Sequence, residues 1–255
     1  MVLVTDPLFL ADFDEDVAPG ARVVVDGEEA HHAAVKRLAA GESVLLSNGR
    51  GVGLAGLVVE ASKRSFVVEV SSVRADPGPA LTWTVAQALA KGDRSELAVQ
   101  LATEVGARRV LAWQASRSIV RWQGDRAAKS LERWRLTARE AAKQSRRLWT
   151  PEVEQASTAA VEAAIAAADV ALVLHESAET HIADVSLPAA GTGVIVVGPE
   201  GGISDDELAR FVAAGAAPVL ISDGVLRTSS AAGVALGQLD VIARRAHLTT
   251  TGSAA

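Results

Sequence analysis

The chain contains no cysteine, which removes disulfides, thiol catalysis and cysteine-based zinc sites together. Its five histidines show no HExxH-type spacing, so metal catalysis is not expected. No apolar run approaches the roughly 20 residues that a helix needs to span a bilayer. The opening stretch MVLVTDPLFLADFDEDV lacks the basic start and unbroken apolar core of a secretory signal, so a cytoplasmic protein without a membrane partner is expected. Positive charge is also scarce overall, with a net charge of -6. It is not scarce everywhere: between Arg108 and Arg147 stand 12 Lys and Arg against Asp125, Glu132 and Glu140, a local balance of +9, while the remainder carries -15. A basic segment inside an acidic protein is the footprint of a polyanion-binding face or of a solvated helix surface.

What is present suffices for one large or two ordinary domains: 255 residues, 49% of them hydrophobic. Residues 1–75 read as short strands, because ARVVVDG, ESVLLSNGRG, LAGLVVEAS and KRSFVVEVSSV alternate apolar and polar positions between turn residues, with Asn48-Gly49 as a hairpin signal. A small barrel or sandwich follows from this pattern, and DPGP at 76–79 leads out of it. From Leu81 the pattern changes. LTWTVAQAL, VLAWQA, ALVLHE, GVIVVG and PVLIS alternate with helical stretches, the signature of an α/β domain with a parallel sheet, placed at 80–250.

The segment GVGLAG, Gly51 to Gly56, matches a dinucleotide fingerprint in letters, yet it follows a hairpin turn and no helix comes after it. It is read as turn and strand glycine. More informative is VIVVGPEGGISDDEL, Val194 to Leu208, a strand entering a glycine-rich loop and then an acidic helix start with the S-x-x-E capping box of Ser204 and Glu207. GPEGG lacks the following lysine of a phosphate-binding P-loop. Two further strand ends, LVLHES (Leu172 to Ser177) and LISDGVLRTSSAAG (Leu220 to Gly233), complete a set of three loops. In a parallel sheet such loops gather at the carboxyl ends of the strands and make one crevice.

LVLHE, VVGPEGGISDDEL and LISDGVLRTSSAA, in this order, resemble the three cofactor-loop motifs of the SPOUT class of knotted RNA methyltransferases. The chain resembles more closely the bacterial RsmE family, which methylates N3 of a uridine in 16S ribosomal RNA. HHAAVKRLAAG (His31 to Gly41) is similar to that family's N-terminal RNA-binding motif. ALAKGDRSELAVQLATEVGA (Ala88 to Ala107) is similar to its first catalytic-domain strand and helix, and EAAKQSRR (Glu140 to Arg147) to its basic helix end. The resemblance implies an N-terminal PUA-like β-barrel followed by a SPOUT α/β domain with a deep trefoil knot, a homodimer, S-adenosyl-L-methionine as cofactor and 16S ribosomal RNA of the small subunit as partner. It implies cofactor contacts, mostly through main chain, at Leu174, His175 and Glu176, at Val197, Gly198, Pro199, Glu200, Gly201 and Gly202, and at Ile221, Ser222, Gly224, Val225, Leu226 and Arg227.

S-adenosylmethionine carries no phosphate, so a site with apolar walls and backbone donors, without a lysine cradle, suits it. Methylation of uridine N3 needs the N3 proton to leave and the nitrogen to align with the methyl carbon. Arg227 can stabilise the negative charge that develops on the uracil, Glu200 can accept a proton or order its loop, and Thr228 or Ser229 can hold the base. Family members commonly carry an acid after the LRT threonine; here Ser229 stands there, so no carboxylate base occupies that position. RNA contacts are expected at His31, Lys36 and Arg37, and at Lys91. On a helix Asp125 to Leu148, Ala127, Leu131, Trp134, Ala138, Ala141 and Leu148 should face inward, and Arg126, Lys129, Arg133, Lys143, Arg146 and Arg147 outward. Trp122, in RWQGD, is a candidate for base stacking. Two other readings stay open: another SPOUT enzyme acting on a ribose hydroxyl or a tRNA base, and a non-catalytic RNA-binding ribosome-assembly factor.

Overall fold

Alternating apolar and polar residues build the first sheet in the computed structural model, which describes residues 6–252. Strands β1 (Leu8–Leu10), β2 (Arg22–Asp26), β3 (Ser43–Ser47), β4 (Val52–Ala61) and β5 (Ser65–Ala75) pair in the order β1-β3-β4-β5-β2; only β1 and β3 run parallel. Asn48 makes the β3–β4 turn by accepting from the amides of Arg50 (2.8 Å) and Val52 (3.0 Å) through Oδ1. The fingerprint-like glycines lie in this hairpin: a Cβ on Gly56 would stand 2.3 Å from the Glu69 carbonyl oxygen across the strand pair. Inside, Phe9 meets Phe66 edge to face at 5.1 Å, among Val44, Leu46, Leu54 and Val68, all buried. Helix α1 (Gly27–Val35) closes on the sheet through Ala30 and Ala33.

The chain forms two compact units: the described residues up to Gly78 together with Ala142–Thr150, and Pro79–Ala141 together with those from Pro151 onward. The return of 142–150 to the first unit is absent from the division read off the sequence. There Trp149 bridges antiparallel to Arg50, the Gly51 amide donates to the Leu148 carbonyl (2.9 Å), and Trp149 Nε1 donates to the Asp76 carbonyl (2.8 Å).

In the second unit six parallel strands, β6 (Leu81–Ala88), β7 (Arg109–Trp113), β8 (Glu152–Ala156), β9 (Val170–Leu174), β10 (Gly191–Val197) and β11 (Ala217–Val219), lie in the order β11-β9-β10-β6-β7-β8. Helices cover both faces. Val99 and Ala102 of α2 (Arg94–Val105), Trp134 and Ala138 of α3 (Asp125–Gln144) and Leu236 of α6 (Thr228–Gly252) bury one face; Val161 of α4 (Thr158–Ala167) and Phe211 of α5 (Asp205–Ala213) bury the other. The chain leaves β6 toward β7 and leaves β10 toward β11, so neighbouring strands send their connections in opposite directions. That reversal opens a crevice at the carboxyl ends of β6 and β10. Helix α3 stops at Gln144, short of Leu148, because Arg146 adopts a left-handed conformation (φ 55°). Strand β8 is an edge strand with only Val153 and Ala156 buried, and its alternating glutamates hide it from a hydrophobicity reading.

Candidate active site

Three loops meet at those strand ends. The segments after β9, β10 and β11 wall a cavity of about 380 Å³, a size suited to a small cofactor. Leu174, Val219, Ile221 and Leu226 make its apolar wall, and the backbone of the GPEGG turn supplies polar groups. Gly202 turns at φ 73°, which favours glycine, and a Cβ on Gly198 would meet Ile203 Cγ1 at 2.7 Å. Glycine at both positions therefore lets the turn fold tightly against Ile203. Among the described residues no three His, Asp or Glu side chains gather as a metal site.

A relay of hydrogen bonds fixes the loops to one another. Gln87 Nε2, at the buried end of β6, donates to Thr228 Oγ1 (2.9 Å), which donates to the Gly198 carbonyl (2.7 Å). The start of α6 is thus tied to the start of the GPEGG loop. On the other flank Glu200 Oε1 accepts from the Lys91 amide and from Arg94 Nη1, both at 3.2 Å. Burial alone would push the Glu200 carboxyl up, but its own amide, the Lys91 amide and Arg94 outweigh that and hold it below the usual carboxylate range. Behind the loop, the Ser204–Glu207 capping box is fully formed. Glu207 also accepts from the Ser116 amide and hydroxyl, both at 2.7 Å. Burial again pushes up, and these donors with Ser204 hold the carboxyl down.

Every residue assigned to the cofactor from the sequence lines this cavity except Gly201. Glu200, Arg227 and Thr228 line it too, whereas Ser229 is buried (4% exposed) and off the wall. Thr228 already spends its hydroxyl on Gly198, and Glu200 is held as an anion in an ion pair, so both act first as loop fasteners. Arg227 is exposed at the rim and, among the described residues, meets no carboxylate within ion-pair distance. Lys91 is exposed beside Glu200, while His31, Lys36, Arg37 and Arg146, all exposed, and the half-buried Arg147 belong to the first unit.

Two assignments are corrected. Trp122 is buried at 8% exposure and packs edge to face on Trp134, ring centroids 5.2 Å apart, so it is core and offers no face to a base. Lys143 points inward, 2.9 Å from Glu29, because the last turn of α3 packs within the first unit. Arg94 is a wall residue that sequence reasoning missed: nothing in its spacing links it to Glu200, 106 positions away.

A family model described as an RNA methyltransferase domain matches residues 77–240, and one described as an RNA methyltransferase PUA domain matches residues 25–71. The chain is 44% identical over 244 residues to a ribosomal RNA small subunit methyltransferase E of Mycobacterium tuberculosis, covering 93% of this chain and 92% of that one. It is 31% identical over 230 residues to the protein of that name from Bacillus subtilis, with 81% and 85% covered. A Neisseria gonorrhoeae ribosomal RNA small subunit methyltransferase E, solved bound to S-adenosyl methionine, matches with a TM-score of 0.82 at 25% identity, over 93% of this chain and 98% of that chain.

Proposed function

We propose, from the premise that the chain belongs to the ribosomal RNA small subunit methyltransferase E family, that it methylates N3 of a uridine in 16S ribosomal RNA. It is an S-adenosylmethionine-dependent RNA methyltransferase. The observation that carries the finer reading is the cavity at the ends of β9, β10 and β11, with apolar walls, the GPEGG turn in its lining and, at its rim, Arg227, which forms no ion pair among the described residues.

The wall residues fit the cofactor: Leu174, Ile221 and Leu226 offer apolar surface, and the GPEGG main chain offers amides and carbonyls without a phosphate-binding lysine. S-adenosylmethionine supplies the methyl group when bound. The protein's own part is to hold the base and accommodate charge. Arg227 carries a positive charge that no carboxylate among the described residues pairs with, so it favours the uracil anion left when N3 loses its proton. Glu200 is held low by its donors and Ser229 is off the wall, so the N3 proton passes to another acceptor at the cavity, where Glu176 and Asp223 are the remaining wall carboxylates.

The same reading takes the small subunit in the cytoplasm as the setting and includes the SPOUT knot and a homodimer. Support for the dimer comes from exposed apolar side chains on two helices packed together, Leu97 of α2 (42% exposed) with Val234 (38%) and Val241 (50%) of α6. The test is methyl transfer to small subunits from a strain lacking this protein, followed by nucleoside digestion. The expected product is 3-methyluridine; a ribose-methylated nucleoside, or no transfer with cofactor bound, would overturn the assignment.

A further inference from the structure

Resting on that RNA substrate, we propose that the loop from β7 to α3 carries a phosphate-gripping pair, Arg117 and Arg121, which holds the RNA strand beside the cofactor cavity. Most arginines near the sheet spend their charge on carboxylates: Arg94 on Glu200, Arg109 on Glu154, Arg133 on Glu96. These two do not. Arg117 Nη1 donates to the Ile203 carbonyl (3.2 Å), and Arg121 Nη2 donates to the Ser116 carbonyl (2.8 Å). Neither forms an ion pair among the described residues, and both are exposed. A carbonyl anchor uses one of five N–H donors and fixes the guanidinium without cancelling its charge. What remains is an anchored cationic fork with no ion-pair partner among the described residues, the shape that takes a phosphate oxygen pair.

Its location ties it to the cavity. A Cβ on Gly201 would stand 3.3 Å from both Cβ and the carbonyl oxygen of Arg117, so glycine there lets the loop lie against the GPEGG turn. Arg117 Nη1 and Glu176 Oε1 each lie 3.9 Å from the Cβ position of Gly202. Ser116 is fastened to Glu207 by its amide and hydroxyl. The cofactor turn and the cationic loop are therefore one assembly, and the pair keeps its place relative to the site of methyl transfer. Between the two arginines Ile119 is 64% exposed. Charge flanking an apolar side chain suits a strand of alternating phosphate and sugar or base, and suits a free inorganic anion less well.

Arg117→Gln and Arg121→Gln, singly and together, test the pair; glutamine keeps a polar amide while removing the charge. Binding to unmethylated small ribosomal subunits is measured across a salt series, and S-adenosylhomocysteine affinity is measured by calorimetry. Each substitution should reduce the slope of log K against log salt by about 0.7–0.9 and weaken binding about fivefold to tenfold at moderate salt, with cofactor affinity unchanged. Unaltered slopes in variants of an active enzyme overturn the pair and leave the methyltransferase reading standing. A fall in cofactor affinity with no change of slope also overturns it, because the arginines would then be props for the turn. Wild-type protein that neither binds nor methylates the subunits would sink the RNA reading, and the pair with it.

Discussion

Lys143 Nζ lies 2.9 Å from Glu29 Oε1, with the two side chains only 7% and 9% exposed. The pair joins α1 to the Ala142–Thr150 segment inside the first unit; Arg37 follows the end of α1 and Arg146 lies in that segment. Removing one partner strands a buried charge. Lys143→Met should therefore lower unfolding free energy by about 3–5 kcal/mol, and Lys143→Met with Glu29→Leu should recover most of it. Urea denaturation measures both; a single variant as stable as wild type would show that water reaches the pair.

Four helices end in the same pattern of hydrogen bonds, with the sixth amide reaching back to the first carbonyl. In α2 and α5 the left-handed residue is Gly106 or Gly215 (φ 104° and 109°); at the ends of α1 and α3 it is Arg37 or Arg146 (φ 59° and 55°). An L-residue there costs about 1–2 kcal/mol, partly offset by a favourable cation at the helix C-terminus worth about 0.3–1 kcal/mol. Arg37→Gly and Arg146→Gly should leave stability unchanged or raise it by about 1 kcal/mol while weakening binding to small subunits. Thermal unfolding and salt-dependent binding, measured on the same preparations, check both halves. A clear loss of stability would mean that these arginines serve the fold.

Thr228→Val keeps shape and deletes the hydroxyl that links Gln87 to Gly198. It leaves a buried amide donor and a carbonyl without their partner, a loss of about 1–3 kcal/mol. Because the link spans two walls of the cavity, S-adenosylhomocysteine affinity should fall, and Thr228→Ser should restore it. Arg227→Ala, by contrast, should depress turnover more than cofactor affinity, which steady-state kinetics and calorimetry together resolve.

Glu207 predicts the acid limb of stability. Its carboxyl is held below the ordinary glutamate value of about 4.3, so the unfolded chain takes up this proton more readily than the folded one. The stabilisation is fully present above about pH 4.3 and is lost as pH falls through the lower folded value. Glu207→Gln should flatten that part of the stability–pH curve and cost stability at neutral pH; a curve parallel to wild type would refute the role.

The cavity was legible because its chemistry is local. A strand, a glycine turn and a helix cap follow one another in VVGPEGGISDDEL, and the parallel sheet then brings LHE and LRT alongside. The basic helix was legible only in phase: Trp134, Ala138 and Ala141 are buried as their spacing requires. Lys143 and Trp122 were misplaced because their partners, Glu29 and Trp134, are chosen by tertiary packing. Arg117 passed unnoticed for a similar reason, since a backbone carbonyl as partner leaves no signal in side-chain spacing.

The union of Gly51 with Leu148 and of Asp76 with Trp149 has a consequence for biosynthesis. A nascent chain emerging from the ribosome can lay down β1 to β5 early, but their sheet lacks its final partners until residue 150 has left the exit tunnel. The N-terminal unit is therefore completed only after β6, α2, β7 and α3 of the second unit have been made, and a single cut after Gly78 cannot release it whole.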